Sequence, residues 1–214
     1  IKLHSFKDIM KVGGGGLINS ITIAGTVAVV TAAVSKHGVE ALAGYGLGSR
    51  LEIIITPLVF GIGSVLTASV GINVGAQQLP RAKMIAWTGA FISFCVVGLL
   101  GATVTIFPDI WLNNFESSSL IRDYATSYLI IVAPFYCFFA AGQTLYFASQ
   151  GLGKIFYPVI VGIIRLLSVS IICYYVTIYD LSLKFVFYGV SFGLLATGLG
   201  LWMCMLGPDW KKQI

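Results

Sequence analysis

The sequence predicts an all-α, polytopic membrane protein: one six-transmembrane-helix bundle spanning residues 1–214. Three observations predict it. Six apolar segments, at 12–34, 51–74, 84–107, 124–148, 155–178 and 184–206, fill almost the whole chain. Each has the ~20 residues that a helix rising ~1.5 Å per residue needs to cross a ~30 Å hydrocarbon core. The composition is 57% hydrophobic and 10% charged, with mean hydropathy +0.94, where a soluble domain carries roughly 25% charged residues. Finally, the basic residues gather in connecting segments rather than in the runs. Barrel strands alternate apolar and polar residues and contain no such runs, so the spans are helices.

The first span follows a short basic stretch with Lys2, Lys7 and Lys11 and opens on Gly13-Gly14-Gly15-Gly16. It carries Asn19, Thr22 and Thr26 at offsets 0, 3 and 7, one helix face. The second admits two starts. The stretch Ala41-Leu42-Ala43-Gly44-Tyr45-Gly46-Leu47-Gly48 is apolar enough to join it. The helix would then run to roughly 34 residues and ~50 Å, tilted or projecting, with Arg50 and Glu52 beside a wet cavity instead of at a loop. Glu52, Thr56, Gly63 and Thr67 fall at offsets 0, 4, 11 and 15, a small polar stripe suited to a cavity wall.

Gln77-Gln78-Leu79-Pro80-Arg81 joins the second span to the third, which Pro108-Asp109 closes, because proline disfavours helix before it. The longest polar stretch, 113–123, reads as an outer loop. The fourth span carries Tyr136, Ala140, Gln143 and Phe147 at offsets 0, 4, 7 and 11, which aligns them on one face able to share a cavity with the first span's stripe or to bond between helices. Gln150-Gly151-Leu152-Gly153-Lys154 turns the chain into the fifth span. Near the middle of that span stands Arg165, with Ser168 at i+3 on the same face. A mid-bilayer guanidinium costs at least ~2.5–3.5 kcal/mol unless paired or hydrated, so it faces the bundle. It either clamps backbone carbonyls or a neighbouring helix, or touches substrate or a coupling carboxylate. Small residues throughout the later spans allow close helix approach, and Pro57 and Pro134 favour bending where they stand.

Charge placement predicts topology. Both termini share a side with Lys2, Lys7, Lys11, Arg81, Lys83, Lys154, Lys211 and Lys212, while the other side has Lys36, Arg50, Arg122 and Lys184. Lys and Arg accumulate in cytoplasmic loops, which predicts a multi-pass plasma-membrane protein with both termini cytoplasmic. The net charge of +5 is then a topology signal, and without basic clusters interleaved with exposed aromatics no nucleic-acid partner is expected.

Enzyme constellations are missing from the sequence. His4 and His37 lie near opposite ends of one span, so they share no metal, and Cys95, Cys137, Cys173 and Cys204 form no ligand pattern or expected disulfide. No cofactor is expected, and without a phosphate-binding loop a primary pump domain is not expected either.

Several segments together resemble multidrug and toxin extrusion (MATE) transporters. Gly71, Gly75, Ala76, Arg81 and Ala82 match a G-x-x-x-G-A…R-A signature, and Gly38-Val39-Glu40-Ala41-Leu42-Ala43-Gly44-Tyr45 is similar to the approach to the same helix. Gln150-Gly151-Leu152-Gly153-Lys154 resembles a later turn, with Gln150 in place of an arginine, and Arg165 falls where the family carries an arginine. The resemblance covers nearly the whole chain. It implies a twelve-helix transporter of two six-helix lobes, this chain being the C-terminal one. Ile1, in place of a methionine, is accordingly expected to be an internal position, with the N-terminal lobe of the same polypeptide as a partner. Rocking lobes would export a small organic substrate, drug-like or toxic, by alternating access, driven by an inward proton or sodium gradient. Some members carry acidic cation ligands on the first and fourth helices of this lobe. Here those helices offer Asn19 and Gln143, which favours similarity to the DinF-like branch, whose coupling carboxylates lie in the other lobe.

The expected function is a cation-coupled secondary antiporter in the lipid bilayer. The alternatives are a lipid-linked-oligosaccharide flippase of the same superfamily, a membrane-embedded enzyme subunit or a scaffold. The candidate cavity residues are Asn19, Thr22, Thr26, Glu52, Thr56, Tyr136 and Gln143, with Arg165 as the intramembrane charge.

Overall fold

The computed structural model describes the backbone of residues 3–207 and Trp210, and the side chains in that range other than those of residues 3–9, 11 and 12. Lys2, Lys211 and Lys212, and the side chains of His4, Lys7 and Lys11, lie outside the described residues. The order is α1 (Leu3–Ser35), α2 (Val39–Gly75), α3 (Leu79–Ile106), α4 (Asp109–Leu112), α5 (Ser119–Val132), a 3₁₀ turn (Ala133–Phe135), α6 (Tyr136–Gly151), α7 (Phe156–Ile178) and α8 (Leu183–Met205). Among the described residues six helical stretches are long and apolar enough to cross a membrane, α5 and α6 together forming one of them. No strand occurs among the described residues.

The second span takes the longer of its two starts. Gly38 turns the chain at φ 109°, and α2 then runs unbroken for 37 residues, ~55 Å. Later segments hold its extra turns. The Trp111 indole donates to the Leu47 carbonyl at 3.0 Å, and the Arg50 guanidinium lies 5.5 Å from the centre of the Phe115 ring. Arg50 and Glu52 therefore stand on a continuous helix.

The polar stretch 113–123 is a loop only as far as Ser118. Ser118 caps α5 by accepting the Ile121 N–H at 3.4 Å, and Arg122 ties α5 back to Asp109 and Asn113 at 2.6 and 2.5 Å. The two prolines act differently. Pro134 interrupts its span with a 3₁₀ turn, because it lacks an N–H and crowds the carbonyl four residues back. Pro57 is absorbed within the continuous α2.

Helix α6 is central, packed on α2, α3 and α8, while α1 packs on α7 and α7 on α8. At the α6–α8 contact small residues are required: a Cβ on Gly142 would lie 2.9 Å from the Gly198 Cα, and one on Gly198 only 2.6 Å from the Phe138 carbonyl. The buried apolar residues form two clusters. One contains Ile55, Val59, Tyr128, Ala140, Val169 and Phe187, the other Val70, Ala90, Leu145, Tyr146 and Leu201. Ser93, Gln143, Thr144 and Thr197 fall between members of the two clusters along their helices, so the core is apolar, polar, then apolar again.

Candidate functional site

Five of the six spans, all but α3, converge on a cavity of ≈ 80 Å³. α1 contributes Thr26, α2 contributes Tyr45, Glu52 and Thr56, and α5 and α6 contribute Tyr128, Tyr136 and Phe139. α7 contributes Arg165 and Val169, and α8 contributes Gly193. Ile23, Val27, Tyr45, Glu52 and Thr56 also line a larger cleft of ≈ 750 Å³ between α1 and α2, to which Thr31, Ser49, Arg50 and Pro57 belong. Glu52 thus stands where the inner cavity meets the outer cleft.

The carboxylate is held asymmetrically. The Tyr128 hydroxyl donates to Glu52 Oε1 in a short hydrogen bond, and the Tyr136 hydroxyl donates to the same oxygen at 3.2 Å. Oε2 makes no hydrogen bond to another described residue, which leaves two acceptor lone pairs for a ligand. Tyr128 is itself fixed by edge-on contacts with Tyr45 (5.4 Å between centroids) and Phe187 (5.2 Å). A carboxylate whose one oxygen is oriented by two hydroxyl donors can present the other to a proton, a metal cation or an organic ammonium.

Arg165 is 4% exposed and enters the same cavity. Its one hydrogen bond among the described residues is a long one, Nη2 to Thr22 Oγ1 at 3.5 Å, and its Nε has no partner. It makes no ion pair with Glu52. Among the described residues the ion pair is Arg122–Asp109, on the far side of the 113–118 loop. Gly193 makes room for Val169, whose Cγ2 would lie 2.7 Å from a Cβ there, and the Arg165 stem borders the same spot at 3.4 Å. Ser168 does not assist Arg165; its hydroxyl donates to the Ile164 carbonyl of its own helix at 2.8 Å, and Val169 at i+4 is the residue that accompanies Arg165 into the cavity.

The predicted stripes divide. Thr26, Glu52, Thr56 and Tyr136 line the cavity together. Gly63 and Thr67 do not continue that wall. Gly63 packs on the Phe147 ring, and the Thr67 hydroxyl donates to the Phe147 carbonyl at 3.0 Å, a seam between α2 and α6. Asn19 and Thr22 are buried, 7% and 3% exposed, below the cavity, where α1 meets α7 at Gly162. Thr22 donates to the Asn19 carbonyl at 2.8 Å. Gln143 is 1% exposed, does not line the cavity, and its Nε2 has no partner among the described residues. It lies one turn past Phe139 and one turn before Tyr146, whose hydroxyl donates to the Gly15 carbonyl at 3.0 Å and closes α1 onto α6.

Sequence reasoning missed Tyr45, Tyr128, Phe139 and Gly193. Tyr45 had a readable signal, because it stands seven residues before Glu52 on one face once α2 begins at Val39. Tyr128 had none, since the 3₁₀ turn breaks the register between it and Tyr136.

A helical membrane bundle with a lone carboxylate and a lone guanidinium around an internal cavity has the outline of a membrane transport protein. The sequence model of the MatE family matches residues 17–176, and the chain belongs to that family. An FAD transporter of Shewanella oneidensis is 29% identical over 122 residues, covering 55% of this chain and 27% of its own. The probable multidrug resistance protein NorM of Thermotoga maritima is 22% identical over 214 residues, covering 99% of this chain and 46% of its own. Among solved structures, the MATE transporter ClbM in complex with Rb+ superposes with TM-score 0.87 at 21% identity, over 97% of this chain and 49% of that one. The chain therefore spans half or less of the length of each of these relatives, all of them named as transport or resistance proteins rather than enzymes.

Proposed function

We propose that this chain is one six-helix lobe of a secondary antiporter that exports organic compounds across the plasma membrane in exchange for a proton or sodium ion. The observation that carries the reading is Glu52, with Oε1 held by two tyrosines and Oε2 open at the junction of a small inner cavity and a large outer cleft. The sizes divide the labour. A site for an organic molecule usually measures ~300–1,000 Å³, and the cleft of ≈ 750 Å³ falls in that range. The inner cavity of ≈ 80 Å³ takes an ion or a few waters, at ~10–15 Å³ of such volume for each water. In this reading Glu52 exchanges a cation for the substrate, Thr26, Thr56 and Tyr136 complete the wall, and Arg165 sets the field opposite the carboxylate. Asn19, Thr22 and Gln143 form the bundle's polar floor. The relatives' names support an organic cargo, and their greater length supports a second lobe facing the cleft.

Both termini are assigned to the cytoplasm from the basic residues, which makes Ser118 external and Gln78 internal. Cysteine-accessibility labelling at these two positions should react from outside only at residue 118 and from inside only at residue 78, and the reverse pattern would overturn the orientation. The function is tested with the full-length transporter in proteoliposomes under an imposed proton or sodium gradient. Accumulation of an organic cation such as ethidium, abolished by collapsing the gradient, is the expected result. Gradient-independent movement, or none across a graded panel of organic compounds, would overturn the antiporter reading. The isolated 214-residue chain should show no transport.

A further inference from the structure

We propose that the groove between α2 and α3 is a binding site for an anionic phospholipid, with an acyl chain along the groove and the headgroup at Arg81. The groove, ≈ 390 Å³, is lined by Ile62, Val65 and Leu66 of α2 and by Met84, Thr88 and Ile92 among others of α3, with Thr88 its one polar side chain. Its floor is set by Gly89, where any side chain would run into Leu66.

Four features point to a lipid rather than to a protein partner. Arg81, Met84, Thr88 and Ile92 fall at offsets 0, 3, 7 and 11, so the exposed basic residue heads the apolar face. Arg81 makes no hydrogen bond or ion pair with another described residue, which leaves its planar fork of donors available to a phosphate. The opposite wall changes character at the same end. Seven residues beyond Ile62 and Leu66, α2 carries Ser69 and Asn73, with Asn73 donating to the Ser69 carbonyl at 2.8 Å. Polar atoms thus gather near the α2–α3 turn and apolar ones deeper in. The length also fits. Arg81 to Ile92 is eleven residues, ~16 Å along the helix, about half of a ~30 Å hydrocarbon core and so the depth of one leaflet. A polar head, an apolar length of one leaflet and a free cation at the boundary are the chemistry of an anionic lipid. This assignment needs only that α2 and α3 span a membrane, and it is independent of the antiport reading.

The test is native mass spectrometry of the protein released from mild detergent after incubation with phosphatidylglycerol or phosphatidylcholine. The wild-type protein should retain phosphatidylglycerol in preference to phosphatidylcholine. Arg81→Gln should lower that retention about fivefold, the worth of one basic residue at an anionic surface. Met84→Trp, at an exposed position whose change leaves the core alone, should block the groove and lower retention of both lipids. Lys154→Gln, which removes a cation at the same end of the bundle but away from the groove, should leave retention unchanged. Equal retention of the two lipids by the wild-type protein, wild-type behaviour of both groove variants, or an equal loss in Lys154→Gln would overturn the proposal.

Discussion

Two polar regions of this bundle are handled in opposite ways. Around Glu52, a carboxylate has one oxygen held by two tyrosine hydroxyls, and one of the two, Tyr128, is locked by neighbouring rings. Around Arg165 and Gln143, buried donors go unserved among the described residues: Arg165 Nε and Gln143 Nε2 have no partner there, and the one bond to Arg165 is long. The bundle is able to build satisfied interhelical pairs, as Thr144 and Ser93 show with a 2.8 Å hydrogen bond between α6 and α3. Unserved buried donors cost roughly 1–3 kcal/mol each in a fixed structure. The contrast teaches that the Glu52 side has one oxygen preorganised and the other open, whereas the Arg165 side keeps buried donors without partners among the described residues.

The largest effect is expected where the contrast is sharpest. Arg165→Ala removes the cavity's cation and the stem beside Gly193, so it should lower expression yield and cut transport by the full-length protein roughly 5–150-fold, the range of a ~1–3 kcal/mol coupling. Arg165→Lys should recover yield but not transport, because a single ammonium cannot reproduce the fork of donors. Transport assays normalised to membrane-inserted protein decide the matter. Full activity in Arg165→Lys would reduce Arg165 to a point charge and remove the distinction drawn here.

The extent to which the sequence announced these regions follows from the range of each signal. The spans were legible because hydropathy is a property of consecutive residues, and Glu52 and Arg165 because charge is rare inside a bilayer. The start of α2 was ambiguous, since the apolar stretch 41–48 would be tolerated inside or outside the hydrocarbon; tertiary contacts from Trp111 and Phe115 decide it. The start of α5 was hidden because the capping residue Ser118 lies in a run of polar residues that reads as loop throughout. Helical offsets place Gln143 with Tyr136 and make it a candidate for the cavity wall, but the structure does not bring it to the cavity that Tyr136 lines. The cavity ends where α1 and α2 both close on α6, at Gly15–Tyr146 and Thr67–Phe147, and those contacts join residues 131 and 80 positions apart. Periodicity reports which face a residue occupies; where two helices touch along that face is information held between segments.

Glu52→Gln tests the satisfied side. The amide keeps an acceptor for the tyrosines but cannot take up a proton or pair with a cation, so expression should be normal and the pH profile of transport should flatten, with a several-fold loss at its optimum. An unchanged pH profile at normal expression would move coupling away from Glu52. A smaller effect is expected from the tyrosines. Tyr128→Phe should destabilise the protein by about 0.6–1.7 kcal/mol, the measured scale of interhelical hydrogen bonds in membranes. Tyr136→Phe should cost less, because its bond to the same oxygen is the longer one at 3.2 Å. Thermal unfolding in detergent gives the order, and a reversed order would show that Tyr136 is the principal orienting donor.

The smallest effect, and the most discriminating for the unserved side, belongs to Gln143→Leu. If the amide is merely buried without a partner, replacing it by an apolar side chain of similar volume removes an unpaid desolvation cost, and stability should stay level or rise by up to about 1 kcal/mol with transport unchanged. If instead Nε2 is served during the cycle, when α1 withdraws from α6 and the Tyr146–Gly15 seam opens, the same substitution should slow transport while leaving the resting protein just as stable. Unfolding temperature and transport rate, measured on one preparation, separate the two cases. We expect the second outcome, because Gln143 lies between the cavity wall at Phe139 and the seam at Tyr146, the stretch of α6 that opening of the seam would hydrate first.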